Sequence, residues 1–83
     1  MPSASFAPPL DVAGHRVLVC GGGTAALAPI RVLLAAGAEV TVVGPEISAT
    51  VADLATRNRV RVHARSLRPA DLDRVSLVVP AAG

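Results

Sequence analysis

The stretch Arg16-Val17-Leu18-Val19-Cys20-Gly21-Gly22-Gly23-Thr24-Ala25-Ala26 decides the fold. After Arg16 its first half is apolar without interruption, the pattern of a parallel strand covered on both faces; a half-exposed strand would alternate with polar residues. Three glycines end the strand. From Thr24 to Ala36 the residues Leu27, Ile30, Leu33 and Leu34 then recur at helical spacing until Gly37, so a helix is predicted directly after the glycines. Strand, glycine turn and helix in that order bring free backbone N–H groups and the positive end of a helix dipole to one point.

Downstream, Glu39-Val40-Thr41-Val42-Val43 is β-branched and predicts a second strand, closed by Gly44-Pro45. Ser48 suits an N-cap for a helix reaching about Asn58, with Val51, Leu54 and Ala55 inward and Asp53 outward. Between Arg59 and Arg65 the chain alternates: Arg59, Arg61, His63 and Arg65 share one face, and Val60, Val62 and Ala64 share the other. That period suits an outer strand. Pro69 to Leu72 predicts one helical turn, and Val75 to Val79 a fourth, apolar strand. Right-handed crossovers wind these units into an α/β parallel sheet of order 3-2-1-4, the Rossmann-type arrangement for NAD(P). Strand four then lies at an open edge, where such a sheet would continue.

The 83 residues suffice for one small domain, yet they are 52% apolar with a mean hydropathy of +0.56. So hydrophobic a small unit is expected to have part of its surface covered by something else. No apolar run reaches the roughly 18 residues of a membrane span, because Arg31, Gly37 and Glu39 interrupt the longest. Residues 1–10, Pro- and Ser-rich around the sole aromatic Phe6, read as a flexible lead-in without the character of a secretory leader. A cytoplasmic location is therefore expected, with residues 11–83 forming a partial Rossmann domain. Cys20 is the only cysteine, which excludes an internal disulfide and any multi-cysteine metal site. The basic residues are all arginine, the net charge is only +2, and no aromatics accompany them to stack on bases, so no nucleic-acid partner is expected.

Gly21-Gly22-Gly23-Thr24-Ala25-Ala26 fits the pattern GxGxxG/A between a strand and a helix. In that pattern Gly21 permits the sharp turn, Gly23 lets a pyrophosphate approach the backbone, and Ala26 keeps the helix close to the sheet. The ribose-binding carboxylate belongs at the end of strand two, where Gly44 and Pro45 stand; Glu46, two positions on, is the only candidate, and it reads equally as a surface glutamate opening a loop. Cys20 reads as packing, and His15 and His63 as solvated. Arg59, Arg61 and Arg65 read as a solvated face, and Asp53, Asp71 and Asp73 as helix and turn surface. No catalytic residue and no metal ligand is assigned.

Asp11 to Val19, the triple glycine, Leu33 to Val43 and Leu67-Arg68-Pro69-Ala70-Asp71-Leu72-Asp73 together resemble the N-terminal precorrin-2 dehydrogenase (sirohydrochlorin ferrochelatase) module of the siroheme synthase family. The similarity runs from about Leu10 to the end. It implies NAD-dependent oxidation of precorrin-2 to sirohydrochlorin, with iron insertion in some members, and hence NAD as cofactor and a tetrapyrrole as substrate. Carried over, Gly23, Thr24 and Ala25 line the cofactor phosphates, Pro45 and Glu46 lie near the adenosine ribose, and Ala81-Ala82 pass beneath the nicotinamide. The family's catalytic aspartate falls beyond Gly83, and its arginine-lysine pair in the first helix is Ala28-Pro29 here. Pro29, about one turn into that helix, requires a late helix start or a kink. Pro80 to Gly83 also lacks the threonine and aspartate that commonly end this strand. The alternatives are a non-catalytic or vestigial NAD(P)-binding module, and a truncated interaction domain forming a homodimer through its exposed sheet edge.

Overall fold

The computed structural model describes residues 11–81. The lead-in with Phe6, and Ala82, lie outside them. The order of elements is β1 (Arg16–Gly22), a 3-10 turn (Thr24–Ala26), α1 (Leu27–Ala35), β2 (Glu39–Ile47), α2 (Ala49–Thr56), β3 (Arg61–His63), a second 3-10 turn (Pro69–Leu72) and β4 (Leu77–Pro80). The four strands form one parallel sheet of order β3-β2-β1-β4, as the sequence predicts.

Register fixes the two faces of the sheet. Val17 lies beside Val40 and Leu77, and Val19 beside Val42 and Val79, so these residues share a face with Val62. Against that face pack Ala26 and Ile30, both 0% exposed, with Leu33 from α1 and Val51 from α2. Leu18 and Val43 are equally buried but project to the opposite side, among Thr41, Arg61 and Val78. Both helices lie on the first face because the β1-to-β2 and β2-to-β3 crossovers run the same way and are both right-handed. The chain returns from β3 to β4 across the second face with only the Pro69–Leu72 turn, which leaves Val78 43% and Leu72 47% exposed.

Local signals set the boundaries. Both helices end in the same hydrogen-bonded cap: Ala38 N–H donates to Leu33 O and Gly37 N–H to Leu34 O, while Arg59 N–H donates to Leu54 O and Asn58 N–H to Ala55 O. Ser48 caps α2 as expected, its Oγ accepting from Val51 N–H at 3.2 Å. The first helix differs from the continuous one predicted over Thr24 to Ala36. It opens with the 3-10 turn and becomes α-helical only at Leu27, so Pro29 sits within the first α-helical turn, where its missing N–H costs no intrahelical bond.

The strands also differ from expectation. β2 does not close at Gly44-Pro45 but runs on to Ile47, and β4 begins at Leu77 in place of Val75. β3 is only Arg61–His63 because Asn58, with φ +61°, still belongs to the helix cap and Arg65 turns away to another partner. Arg65 is not part of a solvated arginine face, nor is Asp71 turn surface. The Arg65 guanidinium donates to both Asp71 carboxylate oxygens at 2.7 Å, and Arg68 N–H donates to the same carboxylate at 2.7 Å. At the outer edge, Ala81 N–H donates to Cys20 O at 2.8 Å, so the alternation of β4 turns the Pro80 nitrogen away from β1. An edge strand tolerates proline there, since that N–H would have no ladder partner.

The Arg65 bonds, followed by the Arg68 N–H, hold the Asp71 carboxyl well below its ordinary value of 3.8. A depressed folded-state value stabilises the fold above the unfolded value, and that stabilisation fades as pH falls through the folded one. Thermal unfolding followed by circular dichroism is therefore expected to show Asp71→Asn less stable than wild type at neutral pH, with the two curves converging as the pH drops below about 3.8.

Candidate functional site

The site is built where β1 ends. From Cys20 to Gly22 β1 advances two residues while β2 advances four, from Val43 to Ile47, so Gly44-Pro45-Glu46 bulges past the glycines. The two strands touch through bare backbone. A Cβ on Gly22 would overlap Ile47 Cδ1 and come 2.8 Å from Glu46 O, and one on Gly44 would lie 2.9 Å from Gly22 N. The Gly22 carbonyl accepts the Ser48 N–H at 2.8 Å, which fastens the start of α2 to the turn. Gly21 has φ +117°, a conformation that strains any side chain.

Gly23 is different again. It is exposed and extended, and a Cβ there would meet nothing within 4 Å. Beyond it, Ala26 N–H turns back to Gly23 O at 3.0 Å, while the N–H groups of Thr24 and Ala25 donate to no acceptor among the described residues. The three glycines therefore serve separate ends: Gly21 the turn, Gly22 the approach of β2, and Gly23 open space in front of the helix start. The middle one fills a variable position of the GxGxxG pattern, so its role was not legible from the motif.

Gly21, Gly22, Gly23, Thr24, Ala25, Pro45 and Glu46 line one open groove of about 500 Å³, joined by Ala81 from the end of β4. Ala26 stands behind it, fully buried between α1 and the sheet. Because β2 continues to Ile47, Glu46 stands at the carboxyl end of that strand and not in a following loop. Among the described residues it is the only ionisable one in the lining, so an anion in the groove would rest on backbone N–H groups, the Thr24 hydroxyl and the helix dipole, without a cationic side chain. Cys20 is half-buried and does not line the groove, and His15 pairs through Nδ1 with Ser76 Oγ at 3.2 Å. Among the described residues no three metal-binding side chains gather, and no helix is long and apolar enough to cross a membrane.

A glycine-lined groove at the carboxyl ends of a parallel sheet, opening onto a helix N-terminus, defines a Rossmann-type dinucleotide-binding domain. The model of the NAD(P)-binding family matches residues 9–83, and the chain belongs to that family. It is 43% identical over 72 residues to siroheme synthase of Chromobacterium violaceum and 39% identical over 72 residues to precorrin-2 dehydrogenase of Priestia megaterium, 87% of this chain in each case. The solved structure of SirC, a precorrin-2 dehydrogenase, matches 92% of this chain with a TM-score of 0.84 and 37% identity. The resemblance to the siroheme synthase module thus holds over most of the sequence. The chain spans 15% of that siroheme synthase, 36% of the Priestia enzyme and 38% of the SirC chain.

The different demands on the glycines can be separated in urea denaturation. Gly22→Ala is expected to lose about 1–3 kcal/mol, since the strands must part to admit the methyl group. Gly23→Ala, in open space with ordinary dihedrals, is expected to stay within about 0.5 kcal/mol of wild type.

Proposed function

We propose that the domain binds NAD across the Gly21 to Ala26 turn and serves the NAD-dependent oxidation of precorrin-2 to sirohydrochlorin in siroheme biosynthesis. The observation that carries this reading is the open space before Gly23, faced by the uncommitted N–H groups of Thr24 and Ala25. A pyrophosphate fits such a cradle because backbone can approach it without a side chain between. Bound NAD supplies the acceptor for the hydride that the reduced tetrapyrrole gives up. The residues of this chain bind and orient it. Gly23, Thr24 and Ala25 hold the phosphates, and Pro45 and Glu46 border the adenosine ribose.

Glu46 supports NAD over NADP on electrostatic grounds. Its carboxylate can accept hydrogen bonds from ribose hydroxyls, whereas a 2′-phosphate would meet that negative charge with no cation among the described lining residues to offset it. A non-catalytic NAD(P)-binding module is the second reading. It is favoured by Ala28-Pro29, where the family's basic pair is absent, and by a groove in which Glu46 is the only ionisable group among the described residues. A homodimer through the sheet edge has less in its favour, because Pro80 presents no N–H along the free side of β4. The cytoplasmic location expected from the sequence rests on the biosynthetic reading.

Calorimetric titration of the protein tests the proposal. NAD is expected to bind saturably, and Gly23→Asp to abolish binding by filling the cradle with bulk and charge while leaving the thermal transition in place. Glu46→Gln is expected to weaken NAD by roughly tenfold and to narrow its margin over NADP. A folded wild type that binds no NAD would sink the reading, and binding without oxidation of supplied precorrin-2 would select the non-catalytic module.

A further inference from the structure

At the amino-terminal end of the sheet, opposite the glycine groove, lies a second depression of about 440 Å³ lined by Arg16, Glu39, Thr41, Asn58, Arg59 and Arg61 among others. Register explains the gathering. Arg16 stands beside Glu39 and Thr41 beside Arg61, so extending the β2–β3 register back two residues brings Arg59 level with Glu39. Arg16, Glu39, Thr41 and Arg61, with Arg59 in the extended register, fall on the face of the sheet that bears no helix among the described residues, while Asn58 joins them from the cap of α2. A smaller hollow of about 190 Å³ continues along that face, sharing Arg16, Thr41 and Arg61 and adding His63 under the Asp71–Asp73 segment.

The charges in the first depression do not balance. Three guanidiniums face one carboxylate, a local excess of +2 that equals the net charge of the whole chain. Among the described residues Arg59 and Arg61 make no ion pair and no side-chain hydrogen bond, and Arg16 reaches Glu39 only at 3.9 Å. Contrast Arg65, two residues beyond His63, which is doubly bonded to Asp71. In the neighbouring hollow Asp71 is thereby already neutralised, leaving Asp73 as the one further carboxylate.

We propose that this trough is a second ligand site, binding a small oxyanion of two or more negative charges through Arg16, Arg59 and Arg61. Planar guanidiniums from two different strands and the cap of α2 converge on one concavity, and each can donate two parallel hydrogen bonds to a phosphate or carboxylate. Thr41 and Asn58 in the lining add neutral donors. The site is independent of the nucleotide groove, which lies at the other end of the same strands.

Pyrophosphate and citrate, titrated calorimetrically at constant ionic strength, are the probes. In Gly23→Asp, where the glycine turn is blocked, one saturable equivalent of either is expected, weakened at least tenfold when Arg59→Ala/Arg61→Ala is added. An unchanged thermal transition on that addition keeps loss of affinity distinct from loss of fold. The proposal is overturned if neither anion gives a saturable heat, if the added substitutions leave binding as tight, or if Gly23→Asp alone removes binding, since the anion would then be seated on the glycine turn. Failure of NAD to bind would leave these outcomes untouched.

Discussion

Two backbones meet at Gly22 more closely than any side chain allows, and the carboxyl end of the sheet is organised around that approach. Because β2 passes against Gly22 and Gly21, the chain can bulge through Gly44-Pro45-Glu46 without leaving the sheet. The Ser48 N–H, bonded to the Gly22 carbonyl, then starts α2 at a fixed distance from the start of α1. The phosphate side of the groove and the ribose side are therefore parts of one hydrogen-bonded unit. Neither could be displaced without breaking the contact at Gly22, and a buried unpaired backbone group costs about 1–3 kcal/mol.

The remainder of the fold follows from apolar surface disposed on two unequal faces. Val17, Val19, Val40 and Val42 form a continuous floor for α1 and α2, which is why those helices need so few buried residues of their own: Ile30 and Leu33 from one, Val51 from the other. Among the described residues the opposite face receives no α-helix, and its amino-terminal half carries arginines where a doubly covered sheet would carry valines. An apolar composition that exceeds what this small core requires is thus accounted for in part by Val78, Leu72 and Leu67, which remain exposed.

Much of this was legible in the residues themselves. An uninterrupted Val-Leu-Val-Cys run followed by glycines and a helical period leaves little choice but a strand, a turn and a helix, and strand order follows from the handedness of crossovers. What escaped reading was long-range. Gly44-Pro45 is a normal strand terminator, and only the backbone contact across to Gly22 shows why β2 survives it and carries Glu46 to the strand end. Likewise the alternation from Arg59 to Arg65 predicts one arginine face, but a side chain that can form two bonds with Asp71 leaves the period. Pro29 raised the right question, since a helix starting late was one of two ways to accommodate it, and the 3-10 turn at Thr24–Ala26 supplies it.

The strand pairings also differ in how far along the chain they reach. Val17 meets Val40 across 23 positions but Leu77 across 60. The added loop-closure cost is under about 1 kcal/mol, too small to matter for final stability. It matters for the order of assembly. The β1-α1-β2 unit can close on local contacts, whereas β4 has to be recruited from a distance and, among the described residues, is held by β1 alone. The nucleotide groove would thus take shape on the early-forming side of the sheet, with Ala81 added to its wall last and, in hydrogen exchange, released first.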